Sequence, residues 1–79
     1  MDALKLVKMC NEIGAFFAAE PDKATAMAGL AGHLKRFWEP RMRRGILAHL
    51  DGGGAGLSPL AVDALRTHRA MLEPKAVRA

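Results

Sequence analysis

Four breaks divide this sequence into short segments, and they restrict the fold more than any other feature. Pro21 and Pro40 interrupt the first half, the glycine-rich stretch DGGGAG at 51–56 interrupts the second, and Pro74 closes it. Within each segment, apolar residues recur every three or four positions, which is the spacing of a helix with one buried face. The sequence therefore predicts an all-α fold, a small bundle of four short helices. We place these helices at about 2–19, 21–38, 40–50 and 59–72.

The chain is short, which limits the stability that a core can supply. We predict a single helical domain over residues 1–74 and a disordered tail at 75–79. A chain of 79 residues buries only about 60% of the surface that its unfolded form exposes. Small domains often gain the missing stability from a disulfide, a metal or a partner chain.

Cysteine and histidine usage favours a protein partner as the source of that stability. Cys10 is the only cysteine, so an internal disulfide is excluded. Neither this cysteine nor any of the three histidines has a neighbour at the short paired spacings of zinc ligands. A lone cysteine without a signal peptide indicates a reducing cytoplasm. Since no segment approaches the roughly 20 apolar residues of a membrane span, we expect no membrane contact.

A basic and aromatic run from His33 to Leu60 is the strongest indication of function. It contains Phe37 and Trp38, two of the four aromatic residues, together with five cations and two acids. Cations interleaved with large apolar side chains are typical of a surface that binds a larger molecule. The five cations are Lys35, Arg36, Arg41, Arg43 and Arg44.

Three features of the predicted helices leave alternatives open. Arg43 lies at the edge of an apolar stripe, where it either extends its head to solvent or pairs with a carboxylate across an interface. Met9 and Phe16 form a patch beside the stripe of the first helix, as a wide core face or as a contact with another chain. Gly29 and Gly32 in the second helix either admit a closely approaching backbone or are simply tolerated.

The sequence gives little indication of catalysis. Its eight acids are scattered singly, whereas general acid–base catalysis needs groups that converge in a dry pocket. Cys10 falls on an apolar helix face, and Ser58 is predicted to cap the fourth helix. The glycine-rich stretch lacks the lysine and spacing of a phosphate-binding loop, so we interpret it as a turn. We therefore predict no catalytic residue and no cofactor or metal site in this chain.

Two kinds of binding remain. In the first, the chain is a basic helical module for nucleic acid, in which Arg41 and Arg44 contact phosphates. In the second, it is a small subunit that docks on a larger protein, with Trp38, Met42 and the arginines as the main contacts. The second is favoured, because the third helix offers no Asn or Gln to read bases.

Two motifs resemble a known family. The segment KLVKMCNEIGAFFAAEP at 5–21 is similar to the K-L-x-x-M-x-N-x-I-x-x-F-F pattern of the delta subunit of soluble NAD-dependent formate dehydrogenases. The motif F-W-x-P-R-M-R at 37–43, followed by G-G-x-G-L-x-P-L at 53–60, resembles the same subunit. The resemblance extends over about residues 4–70. Gly29 and Gly32 depart from it, because alanine is expected in the second helix.

This resemblance implies a non-catalytic subunit of a cytoplasmic enzyme complex. In such complexes the large alpha subunit carries a molybdenum or tungsten pterin and iron–sulfur clusters. The beta and gamma subunits pass electrons to NAD through FMN and further clusters. The delta subunit is associated with assembly, stability or cofactor maturation. A single cysteine cannot ligate a cluster, so we expect all these cofactors on the other subunits.

The corner between the second and third helices is the predicted docking site on the large subunit. There, aromatic and apolar side chains would be buried by the partner, and the arginines would pair with its acidic groups. The residues predicted to bind the partner are Phe37, Trp38, Pro40, Arg41, Met42, Arg43, Arg44, Met9 and Phe16.

Overall fold

The computed structural model describes residues 2–74, and over this range the chain is all-α, as predicted. Four helices of nine residues or more are followed by one short helix, and the described residues contain no strand. The predicted tail at 75–79 lies outside the described residues. The helices are α1 (Ala3–Phe17), α2 (Lys23–Phe37), α3 (Pro40–Asp51), α4 (Pro59–Thr67) and α5 (Arg69–Leu72).

Side-chain caps fix where three of the helices begin. Asp2, Asp22 and Ser58 each accept a hydrogen bond from a backbone N–H in the first turn, which satisfies one of the donors left free at a helix start. The prediction that Pro21 lies in the first turn of α2 was wrong. Because Asp22 is the cap, α2 begins after it, and Pro21 belongs to the turn before the helix.

The predicted fourth helix is divided at His68. This residue has φ −108° and ψ 24°, so it leaves the helical conformation and ends α4. Beyond the break, Leu72 is fully buried and Arg69 bonds the carboxylate of Asp51 at the end of α3. His68 itself is half-buried at the break.

The core lies around α2, which contacts α1, α4 and α5. α1 also packs on α3. None of the helices within residues 2–74 is long and apolar enough to cross a membrane. The largest fully buried side chains are Leu30, Leu34, Ile46, Leu65, Leu72 and Cys10.

The glycine-rich turn is held in place by α1. Gly53, Gly54 and Gly56 all have positive φ, which L side chains adopt only with strain. The side-chain amide of Asn11 donates to the carbonyl of Gly56 at 2.8 Å and accepts from the N–H of Ser58 at 2.9 Å. One side chain therefore ties the turn and the start of α4 to α1.

Candidate protein interface

Two phenylalanine rings lie on the surface of α1 and α2. Phe16 is 76% exposed and Phe37 is 68% exposed. Most large apolar side chains within residues 2–74 are buried or half-buried, and exposed aromatic rings grouped on one face are typical of contact sites. These two are the most exposed of the large apolar residues predicted to bind a partner, and they form the starting point of the site.

The exposed rings are joined by a continuous row of aromatic contacts. The Phe16 and Phe17 rings meet edge to face at a centroid distance of 5.1 Å. His33 follows at 6.3 Å from Phe17, and Phe37 at 4.7 Å from His33. We call these four residues the aromatic row. It brings together Phe16 and Phe37, which the sequence places on different helices.

A shallow groove runs along α2 beside the aromatic row. It consists of a cleft of about 440 Å³ on one side of Phe17 and a cleft of about 280 Å³ on the other. Phe17 and Gly29 line both clefts, so the two adjoin where the Phe17 ring lies over Gly29. We call this surface the α2 groove. It is lined along α2 by Thr25, Ala28, Gly29, Gly32, His33, Arg36 and Phe37.

The two glycines of α2 have different surroundings. A Cβ atom added at Gly29 would lie 2.6 Å from the Phe17 ring, so this glycine makes room for an aromatic ring rather than for another backbone. At Gly32, a Cβ atom would meet nothing within 4 Å among the described residues. Gly32 is therefore tolerated by the fold and forms an open part of the groove.

Trp38 and Arg43, which were predicted to bind the partner, are both buried in this chain. Trp38 is 5% exposed and belongs to the core. Arg43 is 7% exposed, and its Nη1 donates to the carbonyl of Leu72 at 3.2 Å. Its Nε has no hydrogen-bond partner among the described residues. This burial limits the extension of the Arg43 head to solvent, and its pairing with a carboxylate of another chain stays a prediction.

The other residues predicted to bind a partner are divided between two places. Pro40, Arg41 and Arg44 are exposed at the start of α3, where Arg41 lies 3.5 Å from the carboxylate of Glu39. Met9 and Met42 are half-buried and line a separate cleft of about 350 Å³ between α1 and α3. The sequence did not indicate that these two methionines line the same cleft. Their partner-binding role stays a prediction.

Sequence reasoning missed the ion pairs around Arg69. Its guanidinium forms two bonds of 2.8 Å to Asp51 and one of 2.9 Å to Glu73. Hydrogen bonding to Arg69 lowers the pKa of Asp51, and the same bonds raise the pKa of Arg69. The i,i+4 spacing of Arg69 and Glu73 was a detectable signal. The bond between Arg69 and Asp51 could not be detected in the sequence, because it depends on the break at His68.

Candidate reactive groups give no evidence of chemistry. Cys10 is fully buried, and burial raises the pKa of its thiol to about 11, so it is protonated at neutral pH. Within residues 2–74, no group of three or more potential metal ligands comes together. One buried cysteine does not fit an iron–sulfur cluster.

A small helical fold that exposes an aromatic face and a groove is typical of a protein-contact subunit. The chain belongs to the family of the NADH-dependent formate dehydrogenase delta subunit, FdsD, whose family model matches residues 5–65. This confirms the resemblance seen in the sequence. The matched range includes the whole aromatic row and α2 groove. No curated protein and no solved structure shows a significant match to the chain.

Proposed function

We propose that this chain is a non-catalytic subunit that docks on the large catalytic subunit of a formate dehydrogenase complex. There it supports assembly, stability or maturation of the molybdenum or tungsten cofactor. The observation that carries the proposal is that a member of the delta-subunit family exposes two phenylalanine rings, Phe16 and Phe37, on one face. A partner that covers these rings removes apolar surface from water, which favours association.

The accessory role is supported by the chemistry of the chain's side chains. Cys10, the only cysteine, is buried and protonated, and so offers neither a nucleophile nor a cluster ligand. Under this proposal the pterin, the iron–sulfur clusters, FMN and NAD are bound by the alpha, beta and gamma subunits. The complex operates in the cytoplasm, where a free thiol remains reduced.

The α2–α3 corner is the proposed docking region. Phe37 lies on its surface and Pro40 is exposed beside it, while Arg41 and Arg44 project from the start of α3. The arginines would pair with acidic groups of the large subunit. Trp38 supports the corner from within the core, so its contribution to docking is indirect.

Nucleic-acid binding is less well supported by the charge distribution. Of the five cations in the basic run, Arg43 is buried and Arg41 faces Glu39. Affinity for a polyanion increases with the number of cations that reach its phosphates. Because fewer cations of the basic run can reach phosphates, the run is better suited to bind a protein surface that carries a few acidic groups.

Co-expression of the other subunits with and without this chain tests the proposal. We expect omission of the chain to lower the yield of active complex, measured as formate-dependent reduction of NAD. Metal content per large subunit and thermal stability separate the possible roles. Low metal content indicates maturation, a lower melting temperature indicates stability, and fewer assembled complexes indicate assembly. Equal yield, metal content and stability in both preparations would contradict the proposal.

A further inference from the structure

We propose that the α2 groove binds one amphipathic helix of the partner subunit, with apolar side chains on its inner face and carboxylates at one end. This inference rests on the proposed function and names the surface and the chemistry of the contact. It differs from docking at the α2–α3 corner, because the groove lies along the length of α2 and needs neither Pro40 nor Arg44.

The dimensions of the groove fit a short helix. Its lining along α2 extends from Thr25 to Arg36. Eleven steps of about 1.5 Å each give a length of roughly 16 Å, which corresponds to three helical turns. Peptide helices commonly bind in such grooves through apolar anchors spaced three or four residues apart. The two clefts on either side of Phe17 each offer a place for one anchor.

The α2 groove combines small residues of α2 at its base with exposed phenylalanine rings at its edge. Ala28 and Gly32 present at most a methyl group, and a Cβ atom at Gly32 would meet nothing within 4 Å, so a second helix can approach the α2 backbone closely there, whereas the Phe17 ring covers Gly29. The exposed Phe16 and Phe37 rings, at the two ends of the aromatic row, line one cleft each and can cover an inserted side chain. This combination of small residues and exposed rings gives a concave apolar surface.

The charges at the two ends of the groove indicate which end of the partner helix carries its carboxylates. Lys35 and Arg36 are exposed at the C-terminal end of α2, and within residues 2–74 neither has an acid within 4 Å. Glu20 lines the opposite end. A partner helix with carboxylates near Arg36 and none near Glu20 would complement both ends.

A second copy of this chain fits the groove less well. The chain carries a formal net charge of +4, and a copy shares this excess of cations. In an antiparallel contact, a copy would bring the single carboxylate of Glu20 to the two cations Lys35 and Arg36. An acidic segment from another subunit compensates both cations and does not add to the repulsion.

The experiment measures binding of the purified full-length chain to the complex of the other subunits prepared without it. Gly32→Leu fills the groove, and its Cβ meets no atom within 4 Å in the described fold. Because it also removes a helix glycine, we expect an unchanged or higher melting temperature. Arg36→Glu reverses the charge at one end. We expect each variant to weaken binding roughly tenfold or more, as for central interface contacts.

Ala15→Leu is the matched control. Ala15 is exposed on α1 and lines none of the clefts described above, so this variant adds apolar bulk outside the groove. We expect it to bind like the wild type. Wild-type affinity in both Gly32→Leu and Arg36→Glu would overturn the groove assignment and leave the proposed function intact.

Two further outcomes overturn the inference in different ways. Failure of the wild-type chain to bind the complex would remove both the proposed function and the groove assignment. A dimer of the isolated chain, seen by light scattering and lost in Gly32→Leu, would identify a second copy as the occupant. Light scattering of the wild type and of Gly32→Leu therefore accompanies every affinity measurement.

Discussion

The α3–α5 junction, where Arg43 of α3 meets Leu72 of α5, buries a charged side chain, whereas the α2 groove leaves aromatic rings exposed. At the junction, the Arg43 guanidinium is buried and donates to the last carbonyl of α5. At the groove, Phe16 and Phe37 remain exposed. Burial of a charge is costly and exposure of aromatic rings forgoes hydrophobic stabilisation. The junction therefore serves the fold of this chain, whereas the groove has a surface suited to another molecule.

The same contrast separates the neighbours Phe37 and Trp38. Phe37 is the last residue of α2, and its ring points to solvent. Trp38 leaves the helix with extended backbone, φ −91° and ψ 132°, and its side chain enters the core. Pro40, two residues later, cannot extend α2 and restricts the backbone before it. Position relative to the helix end, and not residue type, decides which ring is buried.

The largest expected effect is the difference between Trp38→Ala and Phe37→Ala. Loss of a buried tryptophan leaves a cavity, so Trp38→Ala should lower the free energy of unfolding by about 3–5 kcal/mol. Phe37→Ala removes an exposed ring and should change it by less than about 1 kcal/mol. Urea denaturation followed by circular dichroism measures both. Equal losses in the two variants would contradict the assignment of one ring to the fold and the other to the surface.

The second largest expected effect on stability is that of replacing Arg43. Arg43→Ala should lower the free energy of unfolding by about 2 kcal/mol, because buried packing and the bond to Leu72 are lost. Arg43→Met keeps most of the volume and removes a buried charge, and should lie within about 1 kcal/mol of the wild type or above it. Arg44→Ala, at the exposed neighbour, is the control and should change stability by no more than about 0.5 kcal/mol. An effect of Arg44→Ala as large as that of Arg43→Ala would refute the burial of Arg43.

The glycines of the groove are expected to respond with opposite signs. Gly32→Ala should raise the free energy of unfolding by about 0.5–1 kcal/mol, because alanine favours the helix and its Cβ meets open space. Gly29→Ala should lower it by about 1 kcal/mol, since the added Cβ displaces the half-buried Phe17 ring. Thermal unfolding of the two variants measures both shifts. A higher free energy of unfolding in both variants would contradict this expectation and show that the Phe17 ring moves aside without cost.

The smallest expected effect is the pH dependence of the Asp51–Arg69 pair at the junction. Since the pKa of Asp51 is lowered in the folded state, its contribution is present above the unfolded pKa of about 3.9 and is lost as pH falls through the folded value. Asp51→Asn should therefore be less stable than the wild type at pH 7, and the difference should shrink at pH 2. Chemical denaturation at the two pH values measures it, with exposed Glu12→Gln on α1 as the control. A difference that persists at pH 2 would mean that the pair does not stabilise through its charge.

Local rules were sufficient for the architecture of the chain. Capping residues, prolines and helical periodicity predicted the all-α class, the start of α3 at Pro40 and that of α4 at Pro59. The errors arose where distant residues meet. Beyond the break at His68, Leu72 is buried and Arg69 bonds Asp51, and local propensity reports neither contact.

The candidate site was only partly visible in the sequence. Charge and aromatic content indicated the run that contains Phe37, whose binding role stays a prediction, and the family resemblance is confirmed. The burial of Arg43 and Trp38 could not be predicted, because periodicity gives an angular position but not the depth of the neighbouring helix. The groove itself was missed, since it depends on the Phe17 ring lying against Gly29 of another helix.

Hydroxyl-radical footprinting of this chain, alone and within the formate dehydrogenase complex, tests the central claim most directly. Oxidation of each side chain reports its exposure and is read by mass spectrometry. We predict that Phe16 and Phe37 are oxidised in the free chain and protected severalfold in the complex. Leu4, 73% exposed at the start of α1, serves as the internal reference and should react equally in both. Equal oxidation of both phenylalanines in the free and assembled states would contradict the claim that the aromatic face is the partner-binding surface.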